Sequence, residues 1–181
     1  LGEIRDKETM DTAIESSLTG HLVFSTIHTN SAVETLTRIS NMGVPPFLMA
    51  ATINLIIAQR LVRKICDSCK VQETVDPDIF ARVKKAVSVL PADEVATIKP
   101  ELLQNLVFYK GKGCEKCGNS GYFGRVGIFE VMMMNNALRQ LILESASSLD
   151  IEKATVKFGM VNLEQAGILK ALKGETTLEE V

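Results

Sequence analysis

The pattern of apolar and polar residues changes its period several times in the first part of the chain. Apolar side chains recur every three or four positions over residues 7–18, which predicts an amphipathic helix ended by Gly20. Residues 21–27 are short, β-branched and mostly apolar, which predicts a buried strand. Ser31 is a suitable N-cap for a second helix over residues 32–41.

The next apolar run, residues 47–58, follows a pair of prolines and predicts a third helix. Residues 60–65 then predict another strand. An order of helix, strand, helix, helix and strand is typical of an α/β protein. We therefore predict an α/β fold for this part of the chain.

The pattern becomes more polar at Cys66 and stays so over residues 66–118, which contain all the cysteines. A strand pattern returns over residues 124–134. Three short helices are predicted after it, over residues 136–145, 149–158 and 163–172. These changes predict four segments: 1–65, an inserted segment 66–118, a returning strand 119–134 and a helical subdomain 135–181.

Composition and charge change this picture little. The chain is 46% hydrophobic and has a net charge of −2, so its charge gives no reason to expect nucleic acid as a partner. No stretch reaches the roughly 18 apolar residues of a membrane span, and the charged opening residues do not resemble a signal peptide. With cysteines in two tight pairs, these features predict a reducing, cytoplasmic setting.

The four cysteines form two C-x-x-C pairs, Cys66 with Cys69 and Cys114 with Cys117. A two-residue gap lets both thiolates of a pair bind one metal ion, and two such pairs complete the tetrahedral shell that Zn²⁺ prefers. Redox pairs or unliganded thiols are the alternatives, but neither pair lies in a thioredoxin-like βαβ pattern. We predict a structural zinc site, and we expect its removal to loosen residues 66–118 because so polar a segment lacks its own core.

Acidic residues open the chain at Glu3 and Asp6, at what the pattern indicates is the end of a strand. A carboxylate in this position can orient the water that attacks a phosphate, but the same pattern also begins ordinary helices. The chain has two histidines, His21 and His28, which lie on opposite faces of a strand by its period of two. Polar residues after such a strand either line a ligand site or cap the next helix.

Several segments, taken together and in order, resemble the type II secretion and type IV pilus assembly ATPases. The segments that carry the resemblance are GEIRDKETMDTAIESSLTGHLVFSTIHTNSA, RLVRKICDSCK, GCEKCGNSGYFGRVGIFEVM and LEQAGILKALKGETTLEEV. Residues 71–110 are the least distinctive. The cysteines match zinc ligands that the retraction motors of this superfamily generally lack, so the resemblance favours the assembly and secretion branch.

The resemblance implies a role for each matched residue. Glu3 would polarise the attacking water, and His28 would lie beside the γ-phosphate of ATP. His21 matches the same histidine-containing motif. Arg5 and Arg38 match arginines that support hydrolysis by sensing nucleotide or by bridging subunits. Asp6 is expected to cap the following helix.

The family also implies the setting of the chain. It would form the second half of a RecA-like P-loop ATPase core with a zinc-binding subdomain and a C-terminal helical subdomain. The whole protein would be a homo-hexamer that uses ATP and Mg²⁺. It would lie on the cytoplasmic face of the bacterial inner membrane, reaching the membrane only through partners such as an inner-membrane platform protein.

One expected motif is absent, because the 181 residues contain no phosphate-binding loop of the form GxxxxGK[ST]. We therefore expect a fragment of a longer protein that hydrolyses ATP poorly or not at all alone. A zinc-organised protein-interaction module without catalysis would explain the cysteines and the missing loop equally well. It does not explain why the acidic segment, the histidine segment and the final helices occur in the family's order.

Overall fold

A computed structural model of the chain describes residues 1–97 and 106–181. Its helices and strands follow one another as α1 (Lys7–Leu18), α2 (Ala32–Asn41), α3 (Pro46–Thr52), β1 (Leu55–Ile65), β2 (Lys70–Glu73), α4 (Pro77–Ser88), α5 (Ala92–Ala96), β3 (Phe108–Gly111), β4 (Tyr122–Met133), α6 (Asn136–Leu143), α7 (Ser148–Lys157) and α8 (Leu163–Leu172). Short 3₁₀ turns occur at Glu115–Cys117 and Leu178–Glu180. This mixture confirms the predicted α/β class.

The chain divides into two compact units, which the long strands β1 and β4 both enter. The first unit contains Leu1–Ala58 and Val131–Met160. The second contains Gln59–Glu130 and Val161–Val181. Segments 1–65, 66–118, 119–134 and 135–181 stay a prediction, and residues 98–105 of the second segment lie outside the described residues.

The first unit is built from packed helices. Within it, α3 packs against α1, α2 and α6, and α7 packs against α2 and α6. The buried face of α2 presents Val33, Leu36 and Ile39 at intervals of three residues, as expected for an amphipathic helix. Burial of such side chains supplies most of the driving force for folding of this unit.

Side-chain caps fix where the helices begin. The carboxylate of Asp6 accepts a hydrogen bond from the Thr9 amide at 2.9 Å, which confirms the predicted cap of α1. Ser31 accepts from the Glu34 amide at 3.1 Å and caps α2 in the same way. These local interactions explain why both helices begin where the sequence predicted.

The predicted buried strand over residues 21–27 is wrong. This segment has no strand assignment, and its side chains Leu22 and Phe24 are 78% and 74% exposed. It runs beside the first residues of the chain, where the Ile4 amide donates to the Thr26 carbonyl at 2.8 Å. A strand needs a continuous ladder with a neighbour, and this short contact supplies too few backbone hydrogen bonds.

The predicted helix over residues 47–58 ends earlier than expected. The structure has the short helix α3, Pro46–Thr52, and the chain then enters β1 at Leu55. Ile53 caps the helix with an extended backbone, which is the conformation that the β-branched side chains of Ile56 and Ile57 also favour. The predicted strand over 60–65 is confirmed as the second half of β1.

The second unit contains the cysteine segment and the last helix. Strands β2 and β3 pair antiparallel, with Lys70 opposite Gly111 and Glu73 opposite Phe108. Helix α8 packs against β3 and α4. The buried residues of this unit form one apolar cluster: Val83, Leu90, Leu106, Phe108, Ile168, Leu169, Ala171 and Leu172.

This cluster corrects the expectation that the cysteine segment has no core of its own. The segment contributes Val83 and Phe108, and it completes a core with the apolar face of α8 from the end of the chain.

In the part of the chain that the structure describes, no helix has both the length and the apolar character needed to cross a bilayer.

Candidate functional site: a four-cysteine cluster and the cluster around Glu3

The two cysteine pairs come together in the second unit. Cys66 directly follows β1, and Cys69 directly precedes β2. Cys114 and Cys117 lie at the two ends of a 3₁₀ turn before β4. All four sulfur atoms lie within 4.8 Å of one another, so the predicted ligand set is assembled and can hold one metal ion.

The sulfur positions have the size of a metal shell. The Sγ–Sγ distances are 3.8 Å between Cys66 and Cys114, 3.9 Å between Cys69 and Cys117, and 3.7 Å between Cys114 and Cys117. A tetrahedron with metal–sulfur bonds of about 2.3 Å has edges of about 3.8 Å, which is the spacing seen here. None of the four is in a disulfide. The donor set therefore fits a closed tetrahedral site.

Glycines let the backbone turn tightly around the sulfur cluster. Gly113, Gly118 and Gly121 all have positive φ, a backbone conformation that glycine adopts at little cost. A side chain on Gly121 would place its Cβ 2.6 Å from the carbonyl oxygen of Gly111. Gly111 is needed for the same close approach, since an added Cβ there would lie 2.0 Å from the carbonyl oxygen of Gly121. Its one sequence signal is the alternation Gly-Lys-Gly before Cys114.

Backbone amides of these turns act on one sulfur in particular. The amides of Cys114 and Gly121 donate to the sulfur of Cys117 at 3.2 and 3.3 Å. Burial alone would raise the pKa of Cys117, but these hydrogen bonds lower it to about 6. Burial raises the pKa of Cys69 to about 11. Metal binding requires thiolates, and the two backbone hydrogen bonds to the Cys117 sulfur stabilise its thiolate form.

A second cluster lies at the start of the chain, in the first unit. Glu3 is placed between two basic side chains, with Oε2 at 2.6 Å from the Arg5 guanidinium and Oε1 at 3.1 Å from Nε2 of His28. The Glu3 side chain is 23% exposed, whereas those of Arg5 and His28 face solvent. The structure thus brings together three of the residues that the sequence singled out.

The charge state of Glu3 follows from these neighbours. The hydrogen bond from Arg5 lowers the pKa of Glu3 against the opposing effect of burial, and the charges of Arg5, His28 and Arg38 lower it further. An ionised carboxylate of low pKa is a good hydrogen-bond acceptor and a weak base. It is suited to orient a water molecule rather than to remove a proton completely.

The other two predicted residues lie farther from Glu3. Arg38 is exposed on α2 and acts on Glu3 only through its charge. His21 lies at the end of α1, where Nδ1 is 3.1 Å from the Thr19 hydroxyl and 3.2 Å from the Ser16 carbonyl oxygen. The two histidines therefore have separate partners, although the strand that was predicted to place them on opposite faces is not formed.

Comparison with known proteins covers the whole chain. Residues 1–181 match the family model described as Type II/IV secretion system protein. The chain is 46% identical over 181 residues to the type IV pilus assembly ATPase PilB of Pseudomonas aeruginosa, covering 100% of this chain and 30% of that protein. It is 37% identical over 181 residues to the type II secretion system protein E of Aeromonas hydrophila, covering 100% of this chain and 33% of that protein.

Two solved structures have a fold similar to that of this chain. The crystal structure of the pilus retraction motor PilT with bound ADP superposes with a TM-score of 0.59 at 25% identity, covering 99% of this chain and 36% of that one. The Legionella pneumophila ATPase DotB shares the fold, with a TM-score of 0.58 at 21% identity, covering 99% of this chain and 36% of that one. The chain thus spans about a third of the length of the proteins it matches. With a family match over every residue and relatives of this similarity, the chain belongs to the Type II/IV secretion system protein family.

Proposed function

We propose that this chain is the part of a pilus assembly or type II secretion ATPase that supplies the hydrolytic carboxylate and a structural zinc site. The observation that carries the proposal is the placement of Glu3, ionised and held between Arg5 and His28, in a chain 46% identical to a pilus assembly ATPase. The names of the relatives support ATP hydrolysis as the reaction. The cluster of Glu3 with Arg5 and His28 supports the place where the attacking water would be bound.

In this proposal Glu3 binds and orients the attacking water. Bound ATP would supply the phosphoanhydride bond, and Mg²⁺ would neutralise part of the phosphate charge. The low pKa of Glu3 keeps the carboxylate ionised, so that it accepts a hydrogen bond from water and directs a lone pair of the water oxygen away from itself. No separate base is required, since phosphoryl transfer depends mainly on positioning and electrostatics.

The basic residues around Glu3 have supporting roles. His28, which lies within hydrogen-bond distance of Oε1 of Glu3, is proposed to be the neighbour of the γ-phosphate. Arg5 fixes Oε2 of Glu3, and its exposed guanidinium is able to contact nucleotide or an adjoining subunit. Arg38 and His21 are proposed to act at the same nucleotide interface from α2 and from the end of α1.

The four cysteines are proposed to hold Zn²⁺. Their edge lengths fit a Zn–S₄ tetrahedron, and four thiolates leave no coordination position for water or substrate. The role of the ion is therefore structural: it ties the residues after β1 to those before β4. Bound zinc would also stabilise the two cysteine turns, which have few apolar side chains of their own.

The remaining parts of the proposal concern the whole protein. We propose a homo-hexamer with a RecA-like core on the cytoplasmic face of the inner membrane, where a platform protein receives the movement that hydrolysis drives. The proposed segments are the core half 1–65, the zinc segment 66–118, the returning strand 119–134 and the helical subdomain 135–181. The relatives named for pilus assembly and for secretion support this setting.

Comparing ATP hydrolysis by the 181-residue chain with that by the full-length protein tests the proposal. We expect turnover by the full-length protein and almost none by the chain, since these residues contain no phosphate-binding loop. Circular dichroism of the chain checks that it is folded in the same assay. Turnover by the folded chain at the full-length rate would contradict the proposal. No turnover by the full-length protein would instead favour an interaction module without catalysis.

A further inference from the structure

The last residues of the chain lie against the strand that leads into the first cysteine pair. We refer to residues 174–181, which follow α8, as the C-terminal strap. The Ile65 amide donates to the Glu175 carbonyl at 2.9 Å, and the Thr176 hydroxyl donates to the Arg63 carbonyl at 2.8 Å. Thr176 is fully buried. The strap is thus fixed to the end of β1, immediately before Cys66.

Arg63 and Glu180 hold the strap at its other end. The Glu180 carboxylate accepts from the Arg63 backbone amide at 2.8 Å and from Nε of the same residue at 2.9 Å. A second guanidinium nitrogen reaches it at 2.6 Å. The Glu180 side chain is only 16% exposed, so this charge-assisted contact is better shielded from water than an ordinary surface ion pair.

The same strap also contacts the residues that follow the second cysteine pair. The Arg63 guanidinium lies over the Tyr122 ring at 4.1 Å, and the Tyr122 hydroxyl is 3.0 Å from that of Thr177. Tyr122 begins β4 directly after Gly121. Gly121 donates its amide to the sulfur of Cys117 and accepts with its carbonyl from the Cys66 amide at 2.9 Å.

Two more contacts anchor the strap to its own unit. Nζ of Lys70, the residue after Cys69, donates to the Gly174 carbonyl at 2.6 Å. The Val181 side chain packs against Gly167 of α8, where an added Cβ would lie 2.7 Å from it. The strap therefore touches the chain beside Cys66, beside Cys69 and close behind Cys117, while α8 fixes it to the apolar core.

We propose that the C-terminal strap is a positioning element for the four-sulfur site, holding the ends of β1 and β4 at the separation that one metal ion requires. This inference rests on the proposed zinc site. None of the strap residues binds the metal, since they act through the backbone that carries the cysteines. Because coupling between two sites is reciprocal, metal binding also stabilises the strap.

Zinc affinity of the Glu180→Gln chain, measured by competition with a chromophoric zinc chelator, tests this role. The amide keeps the shape of the side chain but loses the charge that Arg63 contacts. We expect the zinc dissociation constant to rise about five-fold, the lower end of typical coupling between sites. The Ile65 amide, which donates to the strap, is expected to exchange its hydrogen faster with solvent after the zinc is removed.

The matched control is Glu164→Gln, which breaks the ion pair between Arg82 and Glu164 in the same unit, between α4 and α8. Because both side chains of this pair are exposed, the variant should change neither zinc affinity nor, to any large extent, thermal stability. Equal zinc affinities for Glu180→Gln, Glu164→Gln and the unmodified chain, each with one zinc bound, would overturn the positioning role alone. If the unmodified chain binds no zinc, the zinc site of the proposed function fails as well.

Discussion

Glu3→Gln in the full-length protein is expected to lower kcat for ATP hydrolysis by about 100-fold or more, the usual loss when one positioned hydrogen-bonding group is removed from a reaction site. The amide keeps the size of the side chain but loses the charge and one acceptor that a water molecule needs. ATP binding should change little, because Glu3 acts on water rather than on the nucleotide. Steady-state turnover and equilibrium binding of ATP, measured on the same preparation, separate these two effects.

Unfolding is not expected to imitate this loss. The Glu3 contacts with Arg5 and His28 involve side chains that face solvent, and such surface pairs contribute little to stability. Glu152→Gln removes an exposed carboxylate from α7 and provides the matched control, for which kcat should be unchanged. Normal turnover by Glu3→Gln would remove this residue from the reaction.

Cys66→Ser is expected to abolish stable zinc binding by the chain. Cys66 is 1% exposed, and a hydroxyl in its place is a poor ligand where the other three donors are thiolates. Loss of a ligand should weaken zinc binding by more than the roughly 10–100-fold that loss of an outer partner costs. Since structural zinc contributes on the order of 10 kcal/mol, the turns around Cys69 and Cys114–Cys117 should lose their fixed conformation.

The damage should stay local, in contrast to the sequence-based expectation for all of residues 66–118. Helix α4, strand β3 and helix α8 share the apolar cluster around Phe108, which does not depend on the metal. Limited proteolysis should therefore cut Cys66→Ser near the cysteines and spare α4. Ser68→Ala, a change at an exposed site between two ligands, is the control and should retain one zinc. Zinc retention by Cys66→Ser would show that the sulfurs are not its ligands.

Helix positions were the most predictable part of this fold. Helix α2 covers Ala32–Asn41 and α8 covers Leu163–Leu172, as the apolar spacing predicted. Ser31 and Asn162 cap their first turns, so the residues that decide where each helix begins lie within a few positions of its N-terminus. Local signals of this kind are readable without knowledge of the rest of the chain.

Strands were less predictable because they depend on partners that are distant in sequence. Residues 21–27 have a strand pattern, but they find only a short backbone contact with the first residues of the chain. The apolar run that ends α3 and begins β1 fits both structures, so its division near Ile53 could not be read from periodicity. Pairing decides such cases, and pairing is not local.

The two candidate sites also differ in how far each could be predicted from its own residues. The spacing of the cysteines alone predicted the ligand set, since C-x-x-C pairs have few other uses in such a context. The cluster of Glu3 with His28 came from the resemblance to a family, not from the residues themselves. The strap had no sequence signal, because Arg63 and Glu180 are 117 positions apart.

The central claim is that four thiolates bind one zinc ion. The conformation of the cysteine turns, the role of the C-terminal strap and the structural part of the proposed function all depend on it. X-ray absorption at the zinc edge of the purified protein tests it most directly. We predict one zinc per chain with four sulfur neighbours at about 2.3 Å. A shell containing nitrogen or oxygen, or protein without zinc, would contradict it.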